Sequence, residues 1–349
     1  MELVLFCILL LVCALAMIEE RLRKYNLAVY ITLGIVLILF AGLREIGFDK
    51  DSENYEIYFY HYDDPGMELT VEYSFRFLSR IFYSLFGDVR SIFLFYALVG
   101  VSLKMFALRR LSDFWFLPIC IYISYFYIVH DLTQIRASVV SGLTLLAIPY
   151  ICERKRKTAL AILLAGCLFH YSAIALLPIL FLSSADMDMK HRVTWACLLP
   201  LGFLLHFLPF DIFTAIEIPY ITDKIVAYED LRDKGIIGEE VNVFNLVFLV
   251  KCAIYIYILY FYDIIKPNFK YLSLAVKMMG ISLFVFPALS KLPVMSFRVS
   301  DLYGIAEIPA IACLCYTIHP KWVGKLLVTS IAIILFVIYV FVQEVLNTT

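Results

Sequence analysis

The chain reads as an all-α polytopic membrane protein, one integral membrane domain over residues 1–349. Three observations predict this. Of its 349 residues 63% are hydrophobic and only 17% are charged, which is not the balance of a soluble domain. Apolar runs of membrane-spanning length recur from end to end. Between them, Lys and Arg gather in short stretches, as they do in cytoplasmic loops.

Those basic stretches order the elements. They are Arg21/Arg23/Lys24, Lys104/Arg109/Arg110, Arg154/Lys155/Arg156/Lys157, Lys190/Arg192, Lys266/Lys270 and Lys321/Lys325. Placing all of them on one side sets a zigzag of about twelve transmembrane helices with both termini outward. The expected spans are 3–18, 27–43, 91–107, 113–130, 135–151, 158–169, 172–184, 193–209, 243–262, 272–289, 303–318 and 322–342. The first span reads as retained and not as a signal peptide, because Met1-Glu2 carries no Lys or Arg and the positive charges follow the apolar run.

Residues 158–182 are long enough for one helix, but a single span would throw Lys190/Arg192 to the opposite side. The pattern therefore predicts a broken hairpin turning near His170-Tyr171-Ser172, its short arms buried in protein or lining a wet cavity. The outward loops are then 44–90 and 210–242, with shorter ones at 130–135, 170–171 and 290–302. In the first large external loop, residues 73–86 set Arg76 and Arg80 on one face of an otherwise apolar helix, the pattern of an interfacial helix. No internal repeat or linker divides the chain.

Several chemistries are excluded. A net charge of −1 leaves no bulk electrostatic case for nucleic acid. The nine cysteines lie mostly inside apolar spans, form no CxxC pair and read as packing residues. There is no phosphate loop, no HExxH and no GxSxG. Asp186/Asp188 has no partner cluster and falls in a basic-side loop. No metal and no organic cofactor is called for.

Polar residues collect instead at the outward face: Arg44, Asp49, Asp51, His130, Asp131, Arg136, His170 and Arg298, from four separate connections. Each has an ordinary explanation on its own. Arg44 ends a span and can snorkel, Arg136 can anchor a helix mouth, His170 can pack, His130/Asp131 can be solvated, and Arg298 can pair within its loop. Their gathering on one face points to a cavity with a task, since polar groups at membrane depth are costly. Three arginines suit phosphate or pyrophosphate, whose oxygens match the guanidinium fork. The run Tyr55-Glu56-Ile57-Tyr58-Phe59-Tyr60-His61-Tyr62, with Tyr73, reads either as an interfacial aromatic belt or as a platform for sugar rings.

Taken in order, the motifs resemble the EpsG branch of the Wzy-type polysaccharide polymerases over residues 1–320. Those motifs are Gly42-Leu43-Arg44, Gly47-Phe48-Asp49, Asp51-Ser52-Glu53-Asn54-Tyr55, Gln134-Ile135-Arg136-Ala137-Ser138 and Leu168-Phe169-His170-Tyr171-Ser172-Ala173, with weaker matches at Lys224…Tyr228 and Arg298…Tyr303. The resemblance implies a helical fold related to the GT-C glycosyltransferases with an outer-face cavity. It implies a glycosyltransferase that polymerises undecaprenyl-pyrophosphate-linked oligosaccharide repeat units at the outer face of the bacterial inner membrane, without metal. Arg44, Arg136 and Arg298 would hold the pyrophosphate, with Gln134, Tyr55, Tyr228 and Tyr303 also binding substrate. His170 would be the base, with Asp49 or Asp51 as alternates. Partners on this reading are the lipid-linked oligosaccharide, the bilayer, a flippase and a chain-length regulator, with no nucleic acid. An O-antigen-type ligase shares the donor chemistry and differs in its acceptor. A flippase of the lipid-linked units would favour charges on a through-path and repeated halves, and the sequence displays neither.

Overall fold

The computed structural model describes residues 1–67, 71–208 and 241–346. Among these every regular element is helical and no strand occurs. The expected outward loop 210–242, with Lys224 and Tyr228, lies outside the described residues except for Val241 and Asn242.

The apolar runs form the helices that carry the fold. Arg90–Leu111, Ile135–Cys152 and Lys321–Val342 are each long and apolar enough to cross a membrane. Two bent pairs raise the number to as many as five: Leu246–Tyr260 with Tyr262–Asn268, bent by 72°, and Pro293–Gly304 with Glu307–Tyr316, bent by 48°. Glu2–Ile18, Asn26–Gly42 and Leu272–Ala288 follow the expected spans closely but hold 17 residues each. At 1.5 Å per residue that is about 26 Å, just under a hydrocarbon core of about 30 Å. Helix length alone therefore establishes fewer spans than the charge pattern led us to expect.

Ile135–Cys152 is the central helix, packed between Arg90–Leu111 and Arg156–Phe169. Two glycines permit the closest crossing. A Cβ at Gly100 would stand 1.8 Å from Ser138 Oγ, and one at Gly142 would stand 2.7 Å from Leu103 Cβ.

Three expectations need correction. Residues 130–135 are not a loop: Leu117–Ile121 runs on as a π-helix, Tyr122–Thr133, and His130 and Asp131 are buried within it. Lys104 is not a surface charge beside Arg109 and Arg110. It is fully buried, and its ammonium donates to Asp131 Oδ1 at 3.0 Å, Ser138 O at 2.8 Å and Ser138 Oγ at 2.9 Å. Tyr122 donates to the other Asp131 oxygen at 2.6 Å, so this buried carboxylate and cation are both satisfied. Finally, 290–302 is largely helix, Pro293–Gly304. Serine hydroxyls tie it to Leu272–Ala288: Ser296 donates to Phe286 O at 2.6 Å, and Ser282 donates to Ser300 O at 2.7 Å.

The basic turns meet at one end of the bundle. Lys325 pairs with Glu19 at 2.9 Å, and the backbone N–H of Trp115 donates to the same carboxylate at 3.0 Å. Arg109 stacks over Trp115, Arg110 faces Tyr150, Lys266 pairs with Asp186 at 2.7 Å and Arg192 pairs with Asp263. The opposite end carries the helices Ser52–Tyr60 and Tyr73–Phe86. The second of these buries Phe75 and Ser79 and leaves Tyr73, Phe77, Ile81 and Leu85 exposed along one stripe.

Candidate functional site

Two charge clusters lie at that opposite end. The first is built by a tight turn. Where Asn26–Gly42 ends, the chain reverses at Gly47, whose φ of 86° favours glycine. The turn is held by Gly47 N–H donating to Ser52 Oγ at 2.9 Å and Ser52 Oγ donating to Asp49 O at 3.0 Å. It carries Asp49 back beneath Arg44. Arg44 Nε donates to Asp49 Oδ2 at 2.8 Å, Arg44 Nη1 donates to Ala41 O at 2.7 Å, and the guanidinium lies 4.1 Å above the Phe93 ring. Both side chains are fully buried. Asp49 Oδ1 accepts the Asp51 N–H at 3.1 Å. Arg44 and Asp49 are thus spent largely on each other, and of the guanidinium only Nη2 remains buried without a partner.

Asp51 differs. It is half-buried, and neither carboxylate oxygen makes a hydrogen bond among the described residues. Burial, and next the charge of Asp49, push its carboxyl up from the usual range, while Arg298, Arg136 and Arg44 pull the other way. The field of all three arginines therefore converges on Asp51. Arg298 itself makes no hydrogen bond or ion pair among the described residues.

The second cluster joins three distant segments. Glu72 stands just before Tyr73–Phe86, Arg136 lies in the first turn of Ile135–Cys152, and His170 ends Arg156–Phe169. His170 is extended, at φ −155° and ψ 126°, and beyond it the chain continues as the 3₁₀ helix Tyr171–Phe181. The helical run is thus broken at the residue where the charge pattern placed a turn. Ser74 Oγ donates to Leu168 O and ties the two outer segments together.

Glu72 bridges the other two residues. One oxygen pairs with Arg136 Nη1. The other lies 2.6 Å from His170 Nδ1 and accepts the Tyr171 N–H at 3.3 Å. Burial raises the Glu72 carboxyl, but the His170 hydrogen bond and the Arg136 charge outweigh it and bring the group down to about 2. Burial pushes the His170 imidazole below its ordinary range, with Glu72 opposing. The pair at neutral pH is therefore an ionised carboxylate and a neutral imidazole. That assigns the imidazole proton to Nδ1, facing Glu72, and leaves Nε2 as a basic nitrogen. Nε2 has Ser172 Oγ at 3.1 Å. Arg136 lies 5.5 Å from the Tyr55 ring centroid, and its Nε is buried without a partner, as is Gln134 Oε1 beside it. Arg298 also acts on His170 and Tyr55, so the two clusters share one electrostatic environment.

The aromatic run is divided: Tyr60 and Tyr73 are exposed, and part of it is core. Tyr55 and Phe59 are buried in a small core with Phe75, Phe93 and Tyr96. Tyr60, Tyr62 and Tyr83 pack edge to face or tilted on one another. Tyr303 sits apart, donating to Ala175 O at 2.8 Å and so fastening the 3₁₀ segment. His130 is buried against Phe126 with both ring nitrogens unpartnered. Tyr228 lies outside the described residues.

The sequence does not single out Glu72. Its signal is slight: an acidic residue immediately before an amphipathic helix, in a chain whose proposed base lacked an orienting carboxylate.

The chain belongs to the EpsG family, a family of Wzy-like polymerases, whose sequence profile matches residues 27–348, nearly its whole length. No curated protein and no solved structure matches it.

Proposed function

From family membership and the Glu72–His170 geometry, we propose that this membrane protein joins undecaprenyl-pyrophosphate-linked oligosaccharide repeat units at the outer face of the bacterial inner membrane. Family membership supports a polysaccharide polymerase-like membrane protein acting as a glycosyltransferase. The observation that carries the finer reading is the buried carboxylate aligning a neutral imidazole whose second nitrogen faces a hydroxyl.

In the reaction, an acceptor sugar hydroxyl takes the place that Ser172 Oγ now occupies. Its oxygen attacks the anomeric carbon of the donor, and the bond from that carbon to the pyrophosphate oxygen breaks. The electron pair leaves with the polyprenyl pyrophosphate, and the proton passes to His170 Nε2. Glu72 stabilises the imidazolium and keeps the ring in one orientation. The unpartnered Arg298 and the spare donor of Arg136 face the developing pyrophosphate charge, which is the work a metal ion does elsewhere. Arg44 and Asp49 hold the loop that presents Asp51. Asp51 remains the alternate base, and Tyr73–Phe86 rests its apolar stripe on the bilayer.

The test replaces His170. His170→Ala is expected to give folded, membrane-inserted protein in cells that accumulate single lipid-linked repeat units, read by gel separation of the lipid-linked glycans. Full-length polymer from His170→Ala at normal expression would move the base to Asp51. Wild-type activity in His170→Gln would mean that the residue positions substrate and does not take the proton.

A further inference from the structure

A cavity of about 350 Å³, not used by the reaction described above, shares two segments of chain with the site. It is bounded by Leu246–Tyr260, Leu272–Ala288, Pro293–Gly304 and the π-helical segments at 122–133 and 338–342. Two features connect it to the site. Lys50, at its rim, sits between Asp49 and Asp51. Pro293–Gly304 also serves both: Phe297 and Asp301 line the cavity, while Arg298 acts on Asp51, Tyr55 and His170.

The lining specifies a ligand class. Phe286 and Phe297 meet edge to face on one wall at 5.3 Å, and Tyr125 packs against Tyr339 at 4.6 Å. Between these rings stand groups that recognise hydroxyls. Asp301 accepts the Tyr125 hydroxyl at 2.8 Å through one oxygen, and its other oxygen makes no hydrogen bond among the described residues. Gln343 gives its amide N–H to Asn245 at 3.3 Å and keeps its carbonyl oxygen. Inside the cavity, charge does not favour an anion, and Lys50, the other cation of the lining, stands exposed at the rim. The buried cation, Lys251, is already matched by Glu307 at 3.4 Å and lies 3.7 Å over the Tyr125 ring. A phosphate would meet the Asp301 carboxylate. Flat apolar faces with a carboxylate and amides between them suit an uncharged, polyhydroxylated ring, and the volume is at the small end of ligand pockets.

We propose that this cavity is a carbohydrate subsite, binding a mono- or disaccharide-sized, uncharged part of the oligosaccharide next to the reacting bond. The assignment rests on the polymerase reading for the identity of the oligosaccharide, and its binding chemistry is tested separately. Purified full-length protein in lipid nanodiscs is titrated calorimetrically with lipid-free oligosaccharide released from the host's own surface polysaccharide, and then with inorganic pyrophosphate as competitor. Wild type should bind the oligosaccharide. Phe297→Ala, at a half-exposed ring, should weaken binding about tenfold, the loss of one stacking face. Val345→Trp, which fills the cavity from its rim, should abolish binding while keeping the wild-type thermal transition. The subsite is overturned if Val345→Trp binds as wild type, if pyrophosphate displaces the saccharide, or if wild type binds none. Should His170→Ala still polymerise while Val345→Trp loses saccharide binding, the catalytic reading fails and the subsite stands.

Discussion

The two ends of this bundle use the same residue types to opposite effect. At the end of the basic turns, Lys325 meets Glu19 and Ala16 O, Lys266 meets Asp186, and Arg109 donates to Ser112 O. At the other end, Arg44 Nη2, Arg136 Nε and Gln134 Oε1 are buried without partners, and Arg298 is unpaired among the described residues. Burying an unsatisfied donor or acceptor costs about 1–3 kcal/mol each. A fold tolerates several such groups together where an incoming ligand completes them. Under the proposed function, the second end is left open for a ligand, while the charges of the first are mostly spent on one another.

Substitutions at the two ends should therefore fail in different ways. The largest effect is expected at Glu72. Glu72→Ala removes the group that orients His170 and leaves Arg136 without its ion pair, and the polymerisation rate should fall by about 10²–10⁴-fold, measured on protein that remains monodisperse. Next is Lys325→Ala, which strands Glu19 and should cost about 3–5 kcal/mol of stability. Its signature is the reverse: less folded protein in a thermal or proteolytic assay, with the rate per folded molecule unchanged. A rate defect without a stability defect would erase the distinction between the ends. A third comparison sets Arg136→Lys against Arg192→Lys. The fork is needed at the site, so the first should lose about ten- to a hundredfold in rate. The second should leave the rate per folded molecule unchanged, because Arg192 holds Met187 O at 3.1 Å and stacks on Tyr262 at the other end of the bundle, so its loss should appear in stability alone.

Most of the helix layout was legible because membrane helices declare themselves locally, through apolar length and flanking charge. The break at His170 was legible for the same reason, since only a broken segment kept Lys190 and Arg192 with the other basic turns. The pairings were not legible. Lys104 reads as one of a basic cluster, yet Arg109 is five residues further along the same helix, about 7.5 Å nearer the surface. What fixes Lys104 inside is Asp131, supplied by another helix. Arg44 read as an open phosphate ligand because nothing in the spacing announced that the Gly47 turn would fold Asp49 beneath it. That turn also separates two acidic residues the sequence left equivalent, locking Asp49 and leaving Asp51 available. Glu72 was hidden for the same reason as Asp131: its partners are 64 and 98 positions away.

If Glu72 tunes His170 as a base, the pH dependence of polymerisation carries its mark. The imidazole must be neutral to act, and burial holds it below the ordinary value near 6.5, so the acid limb of the wild-type rate profile should lie below that pH. Glu72 raises the imidazole through its hydrogen bond and charge, and its removal lets burial, Arg136 and Arg298 lower the group further. In Glu72→Gln, assayed in nanodiscs with the lipid-linked repeat unit, the acid limb should therefore move to lower pH while the plateau rate drops. A limb that stays in place, or that moves toward neutral pH, would mean that Glu72 does not tune the imidazole.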